Sequence, residues 1–477
     1  MVGKYKTTGY QKTEEFQENA RKFIWQFGSS LEKTVQDHGP LIFERTEGNM
    51  VYDTDGKAYI DGMSGVWVVN AGHGNSRIIK AIEKQINTMA YALSEEGYSN
   101  TVAIKAAEKL ISIIPFPMQR VYFTCGGSES VEIALRFARL YHKLTGNPRK
   151  YKLIGRRGSY HGATLLAFSV SDYDLFTDAF GPRPSGIIRT AHPYCYRCEF
   201  GLCPESCSCE CAEDLERVIE QEGSESVAAF IAEPISTASG VAIPPEGYWK
   251  RIRQICDRHG ILLIADEIVT GFGRTGKLFG MEHFNTAPDI MLFAKALTSG
   301  YSPLGAVVMN EKIASSVPPA AFLVPGYTFA SHPVSCAAAL ANINCIVEEG
   351  LADNAAEVGD YLLSRLKHDL ADHPFTGDIR GKGLLVCLEL VQDRVTKRQF
   401  SHDSPFVDIL TSLMRSRGLF LRLKSDHLHI APPLTISRHE ADRIADIVVS
   451  SLQELPGLLK SMPKRQNSLK LLQKHTV

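Results

Sequence analysis

The chain has 477 residues, too many for one small core, so we expect two domains or a large domain with a smaller one. Hydrophobic residues make up 44% of it and charged residues 22%, which is typical of a soluble globular protein. The formal net charge of -1 gives no electrostatic argument for a nucleic-acid or membrane partner. No secretory signal or membrane-spanning apolar run is recognisable, so we predict a cytoplasmic location.

The first predicted element is a β-hairpin near the N-terminus. Residues 49–62 read NMVYDTDGKAYIDG, and the dipeptide Asp55-Gly56 favours a tight turn between two strands. Chain ends often meet in a folded protein, so we expect residues 1–75 to pack with the C-terminal domain.

The middle of the chain, residues 76–335, alternates short apolar runs with helical patterns, which predicts an α/β domain with a mostly parallel sheet. After Ser128, polar residues recur every three or four positions, as on the exposed face of a helix. The polar positions are Glu129, Glu132, Arg136, Arg139 and Lys143. The predicted strands are VYFT (121–124), YKLIG (151–155), VAAFIAE (227–233), ILLIADEI (261–268), DIMLFAK (289–295) and GAVVM (305–309).

The last part of the chain has a different sequence pattern. Helical patterns surround GLLVCLELV (383–391), GLFLRL (418–423) and HLHIAPP (427–433), which predicts a smaller α+β domain over residues 336–477. The basic tail from Pro463 is explained by a frayed, solvated end.

The eleven cysteines are unevenly distributed. Five stand singly among apolar or small residues and are expected to be buried thiols: Cys125, Cys256, Cys336, Cys345 and Cys387. The other six lie in HPYCYRCEFGLCPESCSCEC, residues 192–211, which we call the cysteine-rich segment: Cys195, Cys198, Cys203, Cys207, Cys209 and Cys211. Its C-x-x-C start is compatible with zinc, but the later spacings form no second such pair. We favour a reduced insert without metal and leave zinc as the alternative.

Two predicted strands end in residues that carry chemistry. Asp266 ends ILLIAD, and Lys295 ends an apolar run. Ligands of open α/β sheets lie outside the carboxyl ends of the strands. A buried ion pair is the structural interpretation. The functional interpretation is a Schiff-base lysine with an acid facing a pyridinium nitrogen, as in enzymes that use pyridoxal 5'-phosphate.

The functional interpretation requires further groups, and the sequence supplies candidates. TCGGSES (124–130) places Gly127 and Ser128 between a strand and a helix, where backbone N–H groups bind phosphate. SYHGAT (159–164) offers Tyr160 as a flat surface against a ring. Each signal is weak alone, because glycine-rich turns and packing tyrosines are common.

Taken together, these motifs resemble those of the class III aminotransferases, which are pyridoxal-phosphate enzymes of fold type I. The resemblance rests on TCGGSES, SYHGAT, IAEPI (231–235), IADEIVTGFGRTG (264–276), FAKALTSG (293–300) and GYTFASHPVSCAAALA (326–341). It implies a large domain with a mostly parallel sheet and a smaller α+β domain built from the N- and C-terminal segments.

The resemblance also implies roles for individual residues. Lys295 would form the Schiff base and carry protons, and Asp266 would face the pyridinium nitrogen. The remaining implied cofactor contacts are Ile268 on the ring, Gly127 and Ser128 on the phosphate, Tyr160 on the opposite ring face and Glu233 near the hydroxyl side. Thr328 matches a position that reaches the phosphate of a neighbouring subunit, which implies a homodimer, with a tetramer as the larger alternative. Gly126 stands where the family often has serine, so one phosphate contact is expected to be missing.

Two more residues bear on the substrate. Trp67 lies in SGVWVVNAGHG (64–74), and Arg422 precedes a predicted strand in LRLKSDHLHIAPPL (421–434). A core tryptophan and a surface arginine are the structural alternatives. Both stretches resemble the branch that uses ω-amino acids or amines with pyruvate, in which the tryptophan lines the pocket and the arginine binds a carboxylate.

The donor stays open at this stage: β-alanine, taurine, a longer ω-amino acid, a diamine or an amine. Asn147 in LTGNPRK replaces an arginine found in the γ-aminobutyrate branch, which weakens a 2-oxoglutarate-dependent γ-aminobutyrate or ornithine type. An aminomutase on the same fold is a second alternative. A zinc-binding interaction protein built on the cysteine-rich segment is a third.

Overall fold

The computed structural model describes residues 13–25, 40–172, 180–203, 205–318, 326–401 and 404–461. The predicted basic tail after Pro463 lies outside them. Among the described helices, none alone is long and apolar enough to cross a membrane. Helices Pro333–Glu348 and Leu351–Asp369 meet that requirement only as a pair bent by 59°.

The helices and strands are numbered separately in chain order. The α-helices are α1 Thr13–Phe23, α2 Ser64–Trp67, α3 Ser76–Thr88, α4 Thr101–Ile113, α5 Gly127–Leu144, α6 Leu165–Val170, α7 Glu210–Glu222, α8 Tyr248–His259, α9 Glu311–Ala314, α10 Pro333–Glu348, α11 Leu351–Asp369, α12 Phe406–Ser416 and α13 Arg438–Ser461. The strands are β1 Phe43–Glu47, β2 Met50–Asp53, β3 Ala58–Asp61, β4 Met118–Thr124, β5 Lys152–Arg156, β6 Ile187–Thr190, β7 Val227–Ala232, β8 Leu262–Asp266, β9 Ile290–Phe293, β10 Gly305–Asn310, β11 Thr376–Gly381, β12 Val386–Leu390, β13 Leu419–Phe420, β14 Arg422–Lys424 and β15 His427–Ile430.

The large sheet has seven strands in the order β4-β10-β9-β8-β7-β5-β6. Strands β9, β8, β7, β5 and β6 pair in parallel, while β10 runs antiparallel to both β9 and β4. The predicted α/β domain with a mostly parallel sheet is therefore confirmed. All six predicted strands are present within a few residues, and β6 is an additional strand.

Both faces of the central strand β8 are buried, which explains its continuous apolar sequence. Leu262 and Ile264 belong to a core cluster on the side of α5. Leu263 and Ala265 belong to a second cluster on the side of α7 and α8. Because both faces of this strand are covered, a ligand can reach it only at its end.

The predicted hairpin near the N-terminus is present, since β2 pairs antiparallel with β3. Strand β3 in turn pairs in parallel with β13, so the N-terminal segment joins the C-terminal part of the chain. A second small sheet has the order β11-β12-β15-β14. The predicted domain boundaries at 75 and 335 stay predictions, and α10 runs across the second of them.

A buried arginine connects these parts of the chain by hydrogen bonds. Arg274 is fully buried, and its guanidinium donates to four oxygens from distant parts of the chain. They are Leu384 O (3.0 Å), Pro432 O (2.6 Å), Ser64 Oγ (2.9 Å) and Asn70 Oδ1 (2.6 Å). Because the two last acceptors flank Trp67 in the sequence, this arginine fixes the N-terminal segment against the sheet that carries the site.

Two sequence predictions about single side chains are wrong. Glu132 was assigned to an exposed polar stripe, but it is buried at 8% exposure and accepts hydrogen bonds from the backbone N–H groups of Leu166 and Ala167. Glu132 therefore caps helix α6 by accepting hydrogen bonds from the backbone N–H groups at its start. Cys125 is partly exposed, whereas the other four isolated cysteines are buried as expected.

Candidate active site

The carboxylate and the lysine lie at the ends of adjacent parallel strands. Asp266 is the last residue of β8, pairs in register with Leu292 of β9 and is 4% exposed. Lys295 follows β9 after one further residue, Ala294. Among the described residues, none makes a hydrogen bond or ion pair with the Lys295 amine. The sheet thus places a buried acid and an amine without a bonded partner at one edge.

Lys295 occupies a strained turn that the surrounding residues hold in place. Its φ of 44° is in the left-handed region, which costs a non-glycine residue about 1 kcal/mol or more. The Asn342 side chain donates to Ala296 O (2.7 Å) and Leu297 O (3.0 Å), and Ser299 Oγ donates to Asn342 Oδ1 (2.6 Å). These buried bonds fix the turn and therefore the direction of the lysine.

A chain of buried polar groups continues behind Asp266. His161 Nδ1 lies 2.7 Å from Asp266 Oδ2, and His161 Nε2 lies 4.0 Å from Glu233 Oε2. Arg156, fully buried, donates to Glu233 Oε2 at 2.7 Å. Burial acts to raise the pKa of Glu233, but the neighbouring His161 and Arg156 outweigh it and hold that pKa at about 2. Asp266 is thus backed by a buried histidine and a second ionised carboxylate.

Glu233 lies on the far side of His161 from Asp266, and its predicted place near the hydroxyl side of the cofactor stays a prediction. Its Oε1 accepts from the Tyr160 backbone N–H (3.2 Å) and from Ser236 Oγ (3.2 Å). It therefore positions the SYHGAT turn. The sequence patterns indicated no role for His161, although it lies next to Tyr160 in SYHGAT. Adjacent residues of an extended segment point to opposite sides, so a ring contact by Tyr160 already predicts that His161 points the other way.

The start of helix α5 is open. No side chain caps the N-terminus, where Gly126 is in an extended conformation and Gly127 and Ser128 begin the helix. A Cβ at Gly127 would lie 3.0 Å from Ile268 Cδ1, so glycine permits the close approach of the helix end to that side chain. Ser128 Oγ accepts from the Ala163 backbone N–H at 3.0 Å. Free N–H groups and the helix dipole make this end suited to an anion.

Trp67 contacts both the lysine and the arginine. Its ring is 7% exposed, with Lys295 Nζ at 5.4 Å and Arg422 Cζ at 5.5 Å from its centroid. His429 packs edge-on against it at 5.3 Å between ring centroids. Arg422 is the first residue of β14, not a residue before a strand as the sequence suggested, and it is half-buried. The side chains of Trp67 and Arg422 therefore both lie near Lys295. This favours a substrate pocket over a core tryptophan and a surface arginine.

Two other candidate residues are placed at the rim. The Tyr160 side chain is 36% exposed, and its pKa is raised by burial. Thr328 is exposed, and its carbonyl accepts a hydrogen bond from Tyr91 Oη at 3.0 Å.

Electrostatics favour an uncharged lysine. The pKa of Lys295 is lowered from 10.5 to about 8, because burial lowers it most, Asp266 opposes this by favouring the ammonium, and Arg422 adds a smaller lowering. An amine with this pKa is partly neutral near physiological pH and can accept a proton.

The cysteine-rich segment lies outside this site. All its thiols are free, and several line a small cavity together with His192. His192 is 5% exposed with no hydrogen-bond partner for either ring nitrogen, and burial and the charge of Arg156 lower its pKa to about 3. Within the described residues, no three His, Cys, Asp or Glu side chains are placed to hold a metal ion together.

The family profile for aminotransferase class-III matches residues 32–452, so the chain belongs to the class III aminotransferases. It is a transaminase, and the enzymes of this family use pyridoxal 5'-phosphate. The resemblance drawn from the motifs, and the predicted fold type I architecture, are confirmed.

Known relatives cover almost the whole chain. The putrescine–pyruvate aminotransferase of Pseudomonas aeruginosa is 35% identical over 423 residues, 88% of this chain and 92% of that protein. The diaminobutyrate–2-oxoglutarate transaminase of Halomonas elongata is 37% identical over 407 residues, 83% and 87% of the two chains. The solved structure of an (S)-enantioselective ω-transaminase from Thermomicrobium roseum superposes with a TM-score of 0.90 at 39% identity, covering 94% of this chain and 100% of that one.

The residues present fit the family's cofactor. The open start of α5 offers N–H donors for its phosphate, and the missing Cβ of Gly127 leaves room beside Ile268. Asp266 supplies a buried negative charge, and Lys295 supplies an amine without a bonded partner among the described residues. The chain thus holds an anion site, an acid and an amine on one edge of a sheet.

The pKa of Lys295 gives a first test on cofactor-free protein. Asp266→Asn is expected to lower this pKa below about 8, because the carboxylate favours the ammonium. Arg422→Met is expected to raise it, because a repelling charge is removed. The pH dependence of Lys295 labelling by an amine-acylating reagent, read by peptide mass spectrometry, measures both shifts. Glu454→Gln, which breaks an exposed pair with Arg417, is the control. Identical titrations in all the proteins would contradict the account.

Proposed function

We propose that this enzyme moves an amino group from an amine or ω-amino acid to a keto acid, with pyruvate as the acceptor. The observation that carries the proposal is that Trp67 contacts both Lys295 and Arg422, whose guanidinium has no carboxylate partner among the described residues. Support comes also from the relatives, which include a putrescine–pyruvate aminotransferase and an ω-transaminase.

The chemistry that pyridoxal 5'-phosphate supplies when bound is to take up the electron pair left on the substrate carbon. Asp266 would keep a proton on the ring nitrogen, because a buried carboxylate stabilises an adjacent positive charge. Its own charge is supported by the bond to His161. Gly127 and Ser128 would hold the phosphate, with Tyr160 and Ile268 flanking the ring.

Lys295 acts as both anchor and proton carrier in this proposal. Its amine would hold the cofactor, and the same amine would accept the proton that leaves the substrate carbon. A pKa of about 8 suits this role, because the neutral base and its conjugate acid are then both populated. The strained turn and its Asn342 bonds keep the amine directed at the reacting carbon.

Arg422 and Trp67 would select the substrate. A half-buried guanidinium next to an aromatic ring can bind a carboxylate through two N–H donors. With an apolar amine, the indole ring supplies the contact surface instead. One pocket could therefore accept an apolar amine in one half-reaction and a keto acid in the other.

We propose in addition that the enzyme is a homodimer with a shared active site. Two aromatic side chains near Thr328 are exposed: Phe329 is 60% exposed and Tyr91 43%. Tyr91 and Phe329 form an edge-on aromatic pair beside Thr328. An exposed aromatic pair beside a residue that matches a cofactor contact favours a second copy of the chain as its partner.

A donor half-reaction tests the transaminase proposal. Yellow purified enzyme is mixed, without keto acid, with β-alanine, taurine, a diamine and a simple aryl amine in turn. We expect one class of donor to bleach the cofactor absorbance and pyruvate to restore it faster than 2-oxoglutarate. Faster recovery with 2-oxoglutarate would overturn the choice of acceptor, and no bleaching with any donor would favour a mutase.

The shared site is tested by subunit mixing. Lys295→Ala and Thr328→Ala each impair a different part of a site formed by two chains, so refolding them together is expected to restore about a quarter of the activity, in dimers with one intact site. Activity no higher than the sum of the separate variants, or a fully active monomer in light scattering, would contradict it.

A further inference from the structure

The cysteine-rich segment, which the proposed reaction does not use, contacts the sheet that carries Arg422. Its anchor on the large domain is Glu199, which accepts from Arg157 Nε (2.7 Å) and from the His192 backbone N–H (2.9 Å). On the opposite side, Tyr194 and Arg197 reach into the small domain. The segment therefore bridges the two parts of the molecule that enclose the site.

On the small-domain side, the cysteine-rich segment contacts a fully buried carboxylate. Glu389 accepts from Tyr194 Oη, from Arg197 Nε (2.5 Å) and from Arg380 Nη1 (2.7 Å). Burial acts to raise the pKa of Glu389, but the hydrogen bond from His427 and the charge of Arg380 outweigh it and hold that pKa at about 2. Arg380 also donates to Gly240 O at 2.7 Å, which adds a second tie to the large domain. A buried charge with this many partners holds its neighbours in one arrangement.

Strand register connects this carboxylate to Arg422. Partners directly across a sheet share one face, and so do residues two apart on one strand. One row across the sheet is Arg380, Cys387, His429 and Arg422, and the next is Asp378, Glu389, His427 and Lys424. Glu389 and Arg422 therefore lie on the same face, with Tyr194 over one half and Trp67 over the other.

The two halves of this face differ in charge balance. Around Glu389, the cations Arg380 and Arg197 are paired with carboxylates. At the other end, Arg422 has no ion pair with any described residue, and burial lowers its pKa. A carboxylate substrate would supply the missing negative charge, provided that the sheet holds the guanidinium at the right place against Trp67.

We propose that the cysteine-rich segment is a specificity element: through Tyr194 and Arg197 it fixes Glu389, and thereby the sheet face that presents Arg422 to a substrate carboxylate. Tyr194, Arg197 and Glu389 are positioning residues, because they act through Arg422. This inference rests on the proposed function, in which Arg422 binds that carboxylate.

The test is the effect of Tyr194→Phe and Glu389→Gln on the steady-state reaction of an aryl amine with pyruvate. Each change removes or weakens a bond to a buried charge, so KM for pyruvate is expected to rise about tenfold. KM for the aryl amine should change less than about twofold, because an apolar amine makes no use of the guanidinium. A general loss of structure would impair both substrates together.

A matched control and a reference variant keep the outcomes distinct. Tyr361→Phe removes the same kind of bond, from a tyrosine hydroxyl to Asp442 at 2.5 Å, between α11 and α13 of the same domain, and should leave both KM values unchanged. Arg422→Ala should raise KM for pyruvate, and adding Tyr194→Phe to it should cause no further rise.

Equal effects of Tyr194→Phe on both substrates, or no effect on pyruvate while Arg422→Ala is selective, would overturn the role of the segment alone. An unselective Arg422→Ala would instead refute the proposed carboxylate site. If Glu389→Gln does not fold, Tyr194→Phe decides the question, since it leaves both arginine contacts with Glu389 in place.

Discussion

The site depends on a buried carboxylate placed beside an amine at the edge of a parallel sheet. Neither group would be stable there without compensation, since burying an isolated charge is costly. Asp266 is stabilised by His161, and the two are backed by the Glu233–Arg156 pair. Lys295 is compensated differently, because burial shifts it toward its neutral form. The site thus places a carboxylate beside an amine whose pKa is lowered to about 8, which suits acid–base chemistry on a bound amine.

The remaining architecture supports that edge from both sides. On the sheet side, Asn342 holds the strained turn that carries Lys295. On the open side, Arg274 fixes the segment around Trp67 through Ser64 and Asn70. The left-handed conformations of Trp67 and Lys295, with φ of 57° and 44°, lie on opposite sides of the contact between them. Left-handed backbone at two facing residues is consistent with side chains that are held in position by the surrounding structure.

Much of this arrangement follows from sequence alone. The runs that became β8 and β9 are apolar without alternation, because each face of the sheet is covered, and parallel pairing then brings Asp266 and Lys295 to one edge. Gly126 and Gly127 at the start of α5 indicated the anion site, because the first N–H groups of a helix are free to bind an anion. Local pattern was sufficient wherever the chemistry depends on the end of a strand or helix.

Features created by contacts between distant residues could not be predicted in this way. Glu132 looked like part of an exposed stripe, but the α6 helix start, about 35 residues later, uses it as a cap. The hydrogen bond between Arg156 and Glu233 joins residues 77 positions apart, and neither local sequence indicates it. The contact between Tyr194 and Glu389 spans 195 residues, and nothing near either residue signals it. Side-chain direction at such positions is decided by tertiary packing, which local periodicity does not encode.

The most direct test of the central claim is to locate the covalent attachment. Purified yellow protein is reduced with borohydride, digested and mapped by mass spectrometry. The account predicts the added pyridoxyl mass on the peptide that contains Lys295 and on no other, and its loss in Lys295→Ala. Attachment at a different lysine, or a trapped adduct in Lys295→Ala, would contradict the assignment of Lys295 as the amine at the centre of the site.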